Sequence, residues 1–203
     1  MERSPELYLA STSPRRSELL AQIGVQISIF SVDTDESPIV GEIPSAYVLR
    51  LAEAKAQAGW EYMVANRLPE LPVLGADTTV VLGDRALGKP VNQEDCIQSL
   101  MSLSGRTHQV LTAVAIKKAN VVVSELSVTN VTFKELTPDL LEQYWLTGEP
   151  QDKAGGYGIQ GFGAVFVDKI EGSYSGVVGL PIEKTVLLLN QFNVGMWQNI
   201  SNR

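Results

Sequence analysis

Apolar positions follow two rhythms along this chain. Short runs rich in Val, Leu, Ile and Thr have the character of strands, and between them apolar side chains return every three or four residues, as on a helix with one buried face. Leu7 to Ala10 reads as a strand, and Pro14 to Ile23 as a helix that Gly24 ends. A second strand lies around Ile27 to Val32, and a second helix runs from about Pro44 to Met63. Val73 to Leu82 is a strongly apolar strand, and Gly83-Asp84 turns it into a partner that starts at Arg85. A helix from Gln93 to Leu103, closed by Gly105, precedes two β-rich runs, His108 to Ile116 and Val121 to Phe133. The remainder reads as a helix from Pro138 to Leu146, a strand from Ala164 to Ile170 and a helix from Pro181 to Phe192 with Pro in first position. Hairpins among alternating strands and helices predict an α/β (α+β) fold: a mixed twisted sheet with flanking helices. Met1 to Glu6 and Gly195 to Arg203 are expected to be loose ends.

Composition changes this picture in three ways. The chain has 203 residues, 44% of them apolar, which suits one domain, or one domain with two lobes around a cleft, with a sizeable core. The net charge of −7 repels a nucleic-acid backbone, so no nucleic-acid partner is expected, and any phosphate site has to be a compact local cluster of cations. Cys96 is the single cysteine, which excludes an internal disulfide and a Cys-based zinc site; within an amphipathic helix with Ile97, Leu100 and Met101 it reads as a small buried apolar residue. With no bilayer-crossing run and no apolar stretch behind a basic start, a cytoplasmic protein with no membrane partner is expected.

Four features carry candidate chemistry. Arg15 and Arg16 fall in the first turn after Ser13 and Pro14, where the helix dipole disfavours cations. Either both are solvated at small cost, or an anion sits among them and the free N–H groups of the turn. In the second helix, Lys55 follows Val48 by seven residues and so shares its apolar face. It must snorkel to solvent or reach into a polar cleft. Asp77 stands inside the apolar strand, where a lone carboxylate is costly unless paired, protonated or bound to a metal. Gly75 and Ala76 before it leave room for a ligand to approach. Strict hairpin alternation puts Lys89 across from Thr78, on the face opposite Asp77, whereas a bulge near Gly88 would shift it. The acidic pair Asp35 and Glu36 follows the second strand, and one of them together with Asp77 has the oxygen ligands for a hard cation such as Mg2+. The glycine-rich stretch from Asp152 to Gly163 offers Lys153 for phosphate, Tyr157 for packing and Gln160 as a paired donor and acceptor suited to a base edge.

Five motifs occur in order: Ala-Ser-Thr-Ser-Pro-Arg-Arg from Ala10, Leu-Gly-Ala-Asp-Thr from Leu74, Leu-Gly-Lys-Pro from Leu87, Leu-Ser-Gly-Arg-Thr-His from Leu103 and Asp-Lys-Ala-Gly-Gly-Tyr-Gly-Ile-Gln-Gly from Asp152. This set resembles the Maf family of nucleoside triphosphate pyrophosphatases over about residues 7 to 193. The resemblance implies a cleft between two lobes, a fold similar to that of inosine triphosphate pyrophosphatases, and cleavage between the α- and β-phosphates. It implies that Asp77 is the general base and that Arg15, Thr78 and Gln160 set base choice. Ser11, Arg16, Lys55, Lys89 and Lys153 match polar or cationic phosphate-binding positions, and Glu36 joins Asp77 in holding a divalent metal, Mg2+ or Mn2+. Lys153 and Gln160 place the chain nearer the branch acting on dTTP and UTP than the branch acting on 7-methyl-GTP. Gly156 stands where the family carries Ala. His108 matches a family position but, alone among Val and Leu, reads as structural. A homodimer is a further implication. A nucleotide-binding division regulator without turnover and a metal phosphatase releasing orthophosphate are the competing classes.

Overall fold

The computed structural model describes residues 4 to 197. Its elements run β1 (Leu7–Ala10), α1 (Pro14–Gln22), β2 (Ile27–Phe30), α2 (Pro44–Ala65), β3 (Val73–Leu82), β4 (Arg85–Leu87), α3 (Gln93–Leu103), β5 (Thr107–Lys118), β6 (Val121–Phe133), α4 (Pro138–Trp145), β7 (Val167–Glu171), α5 (Tyr174–Val178) and α6 (Ile182–Gln191). The strands form one mixed sheet in the order β2-β1-β3-β5-β6-β7, with β4 also on β3. The β1–β2 and β1–β3 pairs are parallel and the others antiparallel. The α/β fold with a mixed sheet and flanking helices is therefore as the sequence pattern predicts.

The organisation of β3 positions everything that follows. One edge of β3 pairs with β5 from Val73 to Val81. The other edge is shared: β1 takes Val73 and Leu74, and β4 takes Val80 to Leu82. Between these two partners the edge at Gly75 to Thr79 is open. The chain leaves β1 into α1 on one side of the opening, and leaves β4 through Gly88 and Lys89 on the other. A sheet that parts in this way makes a crevice at the ends of its strands.

The two faces of the sheet are covered differently. Leu74, Val80, Val114 and Ile116 face a large core with Leu19 and Leu20 of α1, Leu100 and Leu103 of α3, Leu141 of α4 and Leu188 and Leu189 of α6. On the opposite face α2 lies alone, packing Val48, Ala52 and Ala56 against Val81, Leu111, Ala113 and Ala115. Small residues let α2 approach closely. A Cβ at Gly75 would stand 2.4 Å from the Ala52 carbonyl oxygen and 2.5 Å from the Ala56 nitrogen. Gly75 thus makes room for a helix backbone, and not for a ligand as the sequence suggested. Cys96 is buried in the large core, where burial pushes its thiol up to about 11 and keeps it unreactive.

Two elements differ from the sequence reading. Phe162–Phe166, where the strand was expected to begin at Ala164, is a 3-10 turn, and the strand starts at Val167. Ser173 caps a short helix, α5, that no apolar periodicity announced, its hydroxyl accepting from the Gly176 N–H at 3.0 Å. At the described margins of the two ends the chain makes hydrogen bonds to the fold. Glu6 accepts from the Gly195 N–H at 3.0 Å, and the Trp197 N–H donates to the Ile23 carbonyl at 2.8 Å. The expectation of loose ends for residues 1–3 and 198–203 lies outside the described residues. Among those described, no helix is long and apolar enough to cross a membrane.

Candidate active site

An open groove of about 820 Å³ follows the break in the sheet. Successive residues of β3 point to opposite faces, so Asp77 faces α2 and Thr78 faces α5. Both reach the groove because the strand edge between them is unpaired. The ten residues to which the family resemblance gives a role all line this one hollow, whereas Asp35, the other member of the acidic pair, does not.

On the α2 side, Lys55 reaches across to Asp77. Its ammonium lies 2.7 Å from Asp77 Oδ1 and 2.7 Å from Glu36 Oε1. The lysine on the apolar helix face therefore points into a polar cleft, the sharper of its two readings. Burial pushes the Asp77 carboxyl above the usual carboxylate value, although the charges of Lys55 and Arg16 pull against it. Glu36, held by the Lys55 hydrogen bond, lies below its ordinary value. It sits on a loop fixed by Tyr47, whose hydroxyl donates to the Glu36 carbonyl at 2.9 Å. Arg50 adds a donation to the Ser37 carbonyl at 3.2 Å. Sequence reasoning missed Tyr47, which lines the groove one turn of helix from the apolar stripe.

On the α1 side, Arg16 turns inward. Its Nε donates to the Gly179 carbonyl at 2.9 Å and its Nη1 to the Ser11 hydroxyl at 3.1 Å. Its Nη2 lies 3.5 Å from the Thr78 hydroxyl. Thr78 is 3.1 Å from Thr112 Oγ1, which is 2.7 Å from the Gly176 carbonyl. Thr112 is the donor in both contacts, sharing one hydroxyl hydrogen between Thr78 and the Gly176 carbonyl, and Thr78 accepts from Arg16 as well. Thr78 accepts in both of its contacts and keeps its own hydroxyl hydrogen for the groove. Thr112 is fully buried on the neighbouring strand, a position the sequence gave no reason to single out.

The opposite wall comes from the glycine-rich stretch. Lys153 donates to the Glu149 carbonyl at 3.2 Å and pairs with Asp152. Arg15 lies 3.8 Å from the same Asp152. Gln160 is exposed and makes no hydrogen bond to the rest of the described chain, leaving both ends of its amide for a ligand. The question of which face Lys89 takes resolves differently from either alternative. The β3–β4 ladder stops at Leu87, so Lys89 belongs to no strand. Gly88 instead accepts from the Gly155 N–H at 2.9 Å, which docks the Lys89 segment against the glycine-rich wall. His108 lies outside the polar surface. It is 2% exposed, is 2.9 Å from the Tyr157 hydroxyl through Nε2, and packs edge-on to Phe133. Burial pushes its pKa down to about 4, so it is a neutral core residue, as read.

Among the described residues no group of three or more His, Cys, Asp or Glu side chains is placed to hold a metal. Glu36 and Asp77 nevertheless aim one oxygen each at a single point, now filled by the Lys55 ammonium. Two carboxylates with the balance from water and phosphate oxygens is how Mg2+ is commonly held, so this pair fits a cation that arrives with a phosphorylated substrate.

The Maf-like protein family profile matches residues 6–192. The chain belongs to the Maf family. A dTTP/UTP pyrophosphatase of Saccharophagus degradans is 54% identical over 98% of this chain and 95% of its own length. A dTTP/UTP pyrophosphatase of Pseudoalteromonas translucida is 54% identical over 92% of this chain and 96% of its own. The solved structure of the Staphylococcus aureus Ham1 protein aligns with 92% of this chain and 97% of that one, at 13% identity and a TM-score of 0.49.

Proposed function

We propose that this Maf protein hydrolyses dTTP and UTP to the monophosphate and pyrophosphate, with Asp77 as general base. The observation that carries the reading is the meeting, in one groove, of a largely buried carboxylate and five cations, Arg15, Arg16, Lys55, Lys89 and Lys153. A chain of net charge −7 that gathers five cations in one hollow is built for a highly charged anion. The names of the relatives in S. degradans and P. translucida support the same substrates.

Arg15, Arg16, Lys89 and Lys153 surround the triphosphate and neutralise it, while Ser11 and Gly179 hold the Arg16 fork in place. Glu36 and Asp77 would hold a divalent cation, Mg2+ or Mn2+, which would supply further charge neutralisation at the reacting phosphate. Asp77 takes the proton of the attacking water as its oxygen closes on the α-phosphorus. Lys55 keeps Asp77 ionised against the cost of its burial. Gln160 and the Thr78 hydroxyl meet the base, and a pyrimidine's alternating N–H and C=O groups suit an amide that offers one donor and one acceptor.

The test is a panel of nucleoside triphosphates assayed for pyrophosphate and for orthophosphate, with and without Mg2+ or Mn2+. Pyrophosphate from dTTP and UTP, well ahead of ATP, GTP and 7-methyl-GTP, is expected. Orthophosphate as the first product, or nucleotide binding without product, would replace this reading with a phosphatase or a sensor.

A further inference from the structure

The glycine-rich wall owes its shape to a side chain outside it. Glu149 lies in the 3-10 turn Glu149–Asp152 that precedes the stretch. Its Oε1 accepts from the Gly163 N–H at 3.0 Å and from the Tyr144 hydroxyl at 2.8 Å, and its Oε2 accepts from the Phe162 N–H at 2.8 Å. The Tyr144 hydroxyl in turn accepts from the Gly158 N–H at 3.1 Å. Both feet of the arch from Gly158 to Gly163 are thus tied to one carboxylate, one directly and one through a phenol that is 4% exposed. Gln160 is at its crown.

The glycines are shaped to this carboxylate. A Cβ at Gly161 would stand 1.9 Å from Glu149 Oε2, and one at Gly158 would stand 2.9 Å from Oε1. A side chain at Gly161 would therefore displace the Glu149 carboxylate from these hydrogen bonds. Every group that meets the carboxylate is a donor, so only an ionised acid satisfies all of them. Burial raises the Glu149 pKa, but the bonds from Gly163, Tyr144 and Phe162 outweigh it and leave the group below its ordinary value.

Glu149 also holds a cation of the groove. Its backbone carbonyl accepts from Lys153 Nζ at 3.2 Å. One residue therefore sets the placement of the base-facing amide and of a phosphate-facing lysine.

We propose that Glu149 is a positioning residue for substrate selection: it fixes the arch so that Gln160 meets the nucleotide base in a single orientation. The inference rests on the dTTP/UTP pyrophosphatase reading given above. Glutamine at this position keeps the shape but sets an amide donor against an N–H donor, which releases one foot of the arch.

Two measurements on the full-length protein test it. The first compares wild type, Glu149→Gln, Gln160→Ala and the double variant on dTTP, UTP and ATP. Glu149→Gln is expected to raise KM for dTTP and to lower the dTTP-over-ATP preference by about tenfold, with a much smaller change in kcat, and the double variant should lose no more preference than Gln160→Ala alone. An unchanged preference, or losses that simply multiply, would overturn the proposal, since a purely structural role lowers all substrates alike. The second is amide hydrogen exchange without ligand. Glu149→Gln should speed exchange at Phe162 and Gly163 while leaving α6 protected; unaltered exchange there also overturns it. If wild type shows no pyrimidine preference at all, the functional reading falls, and the exchange result alone decides whether Glu149 orders the arch.

Discussion

The Lys55 ammonium sits 2.7 Å from Asp77, on the strand beneath it, and at the same distance from Glu36 on the loop above. The two acids differ in consequence. Glu36 is half exposed and lies below its ordinary pKa, whereas Asp77 is largely buried and lies above it even with the lysine beside it. Lys55 is therefore what keeps a buried base usable, and its removal should show in the pH profile. In Lys55→Met the Asp77 carboxyl loses its nearest cation and rises further, so the acidic limb of kcat/KM for dTTP should move to higher pH. A limb that stays in place or moves down would remove Lys55 from this role.

The same shift fixes a sign for stability. Asp77 releases its proton at a lower pH in the unfolded chain than in the fold. As pH rises from the ordinary aspartate value through the folded value, the fold loses stability, and at neutral pH the ionised carboxylate is a net cost. Asp77→Asn should accordingly unfold at a higher temperature than wild type at pH 7, by roughly 2–4 °C for each kcal/mol relieved. Thermal unfolding at pH 7 measures this, and a lower midpoint would mean that the lysine pair outweighs the burial.

Gly75 sets the distance between α2 and β3. With a Cβ 2.4 Å from the Ala52 oxygen and 2.5 Å from the Ala56 nitrogen, Gly75→Ala has to push the helix off the strand. A loss of about 1–3 kcal/mol in stability is expected, together with a fall in kcat as Lys55 withdraws from Asp77. Gly88→Ala meets nothing within 4 Å and should leave stability unchanged. Denaturant unfolding of the two variants separates a packing requirement from a general intolerance of side chains near the groove.

His108 titrates far from its ordinary value because its ring is buried against Phe133 and Tyr157. Between about 6.5 and about 4 the unfolded chain takes up a proton that the fold does not, so stability falls as pH drops through that window. The full loss between those two values is about 3 kcal/mol. His108→Gln, which does not titrate, should lose that part of the pH dependence. A wild-type stability that is flat from pH 6.5 to 4 would show that the imidazole protonates in place.

The site was legible in the sequence wherever a residue contradicted its surroundings. An acid in an apolar strand, a lysine on an apolar helix face and two arginines at the positive end of a helix each conflict with local physics, and all of them line the groove. Residues that agree with their surroundings stayed hidden. Thr112 is an ordinary strand threonine until Thr78 and Gly176 are seen on either side of it. Glu149 follows a helix among other polar residues, and nothing local reveals that the amides of Phe162 and Gly163 return to it. Gly75 was misread for a related reason. A strand glycine announces that something comes close, but not whether it is substrate or a neighbouring helix. The short helix α5 and the 3-10 turn before β7 were missed because both are held by caps and loop contacts, not by a buried stripe.

The central claim is that Asp77 draws the proton from the water that attacks the triphosphate. The rate of pyrophosphate release from dTTP by Asp77→Asn, measured beside wild type at saturating Mg2+, tests it most directly. The amide keeps the shape of the carboxylate and its acceptor toward Lys55 but cannot take the proton, so the rate should fall by about 10²–10⁴-fold while the protein stays folded. A variant that releases pyrophosphate within a few-fold of wild type would contradict the account.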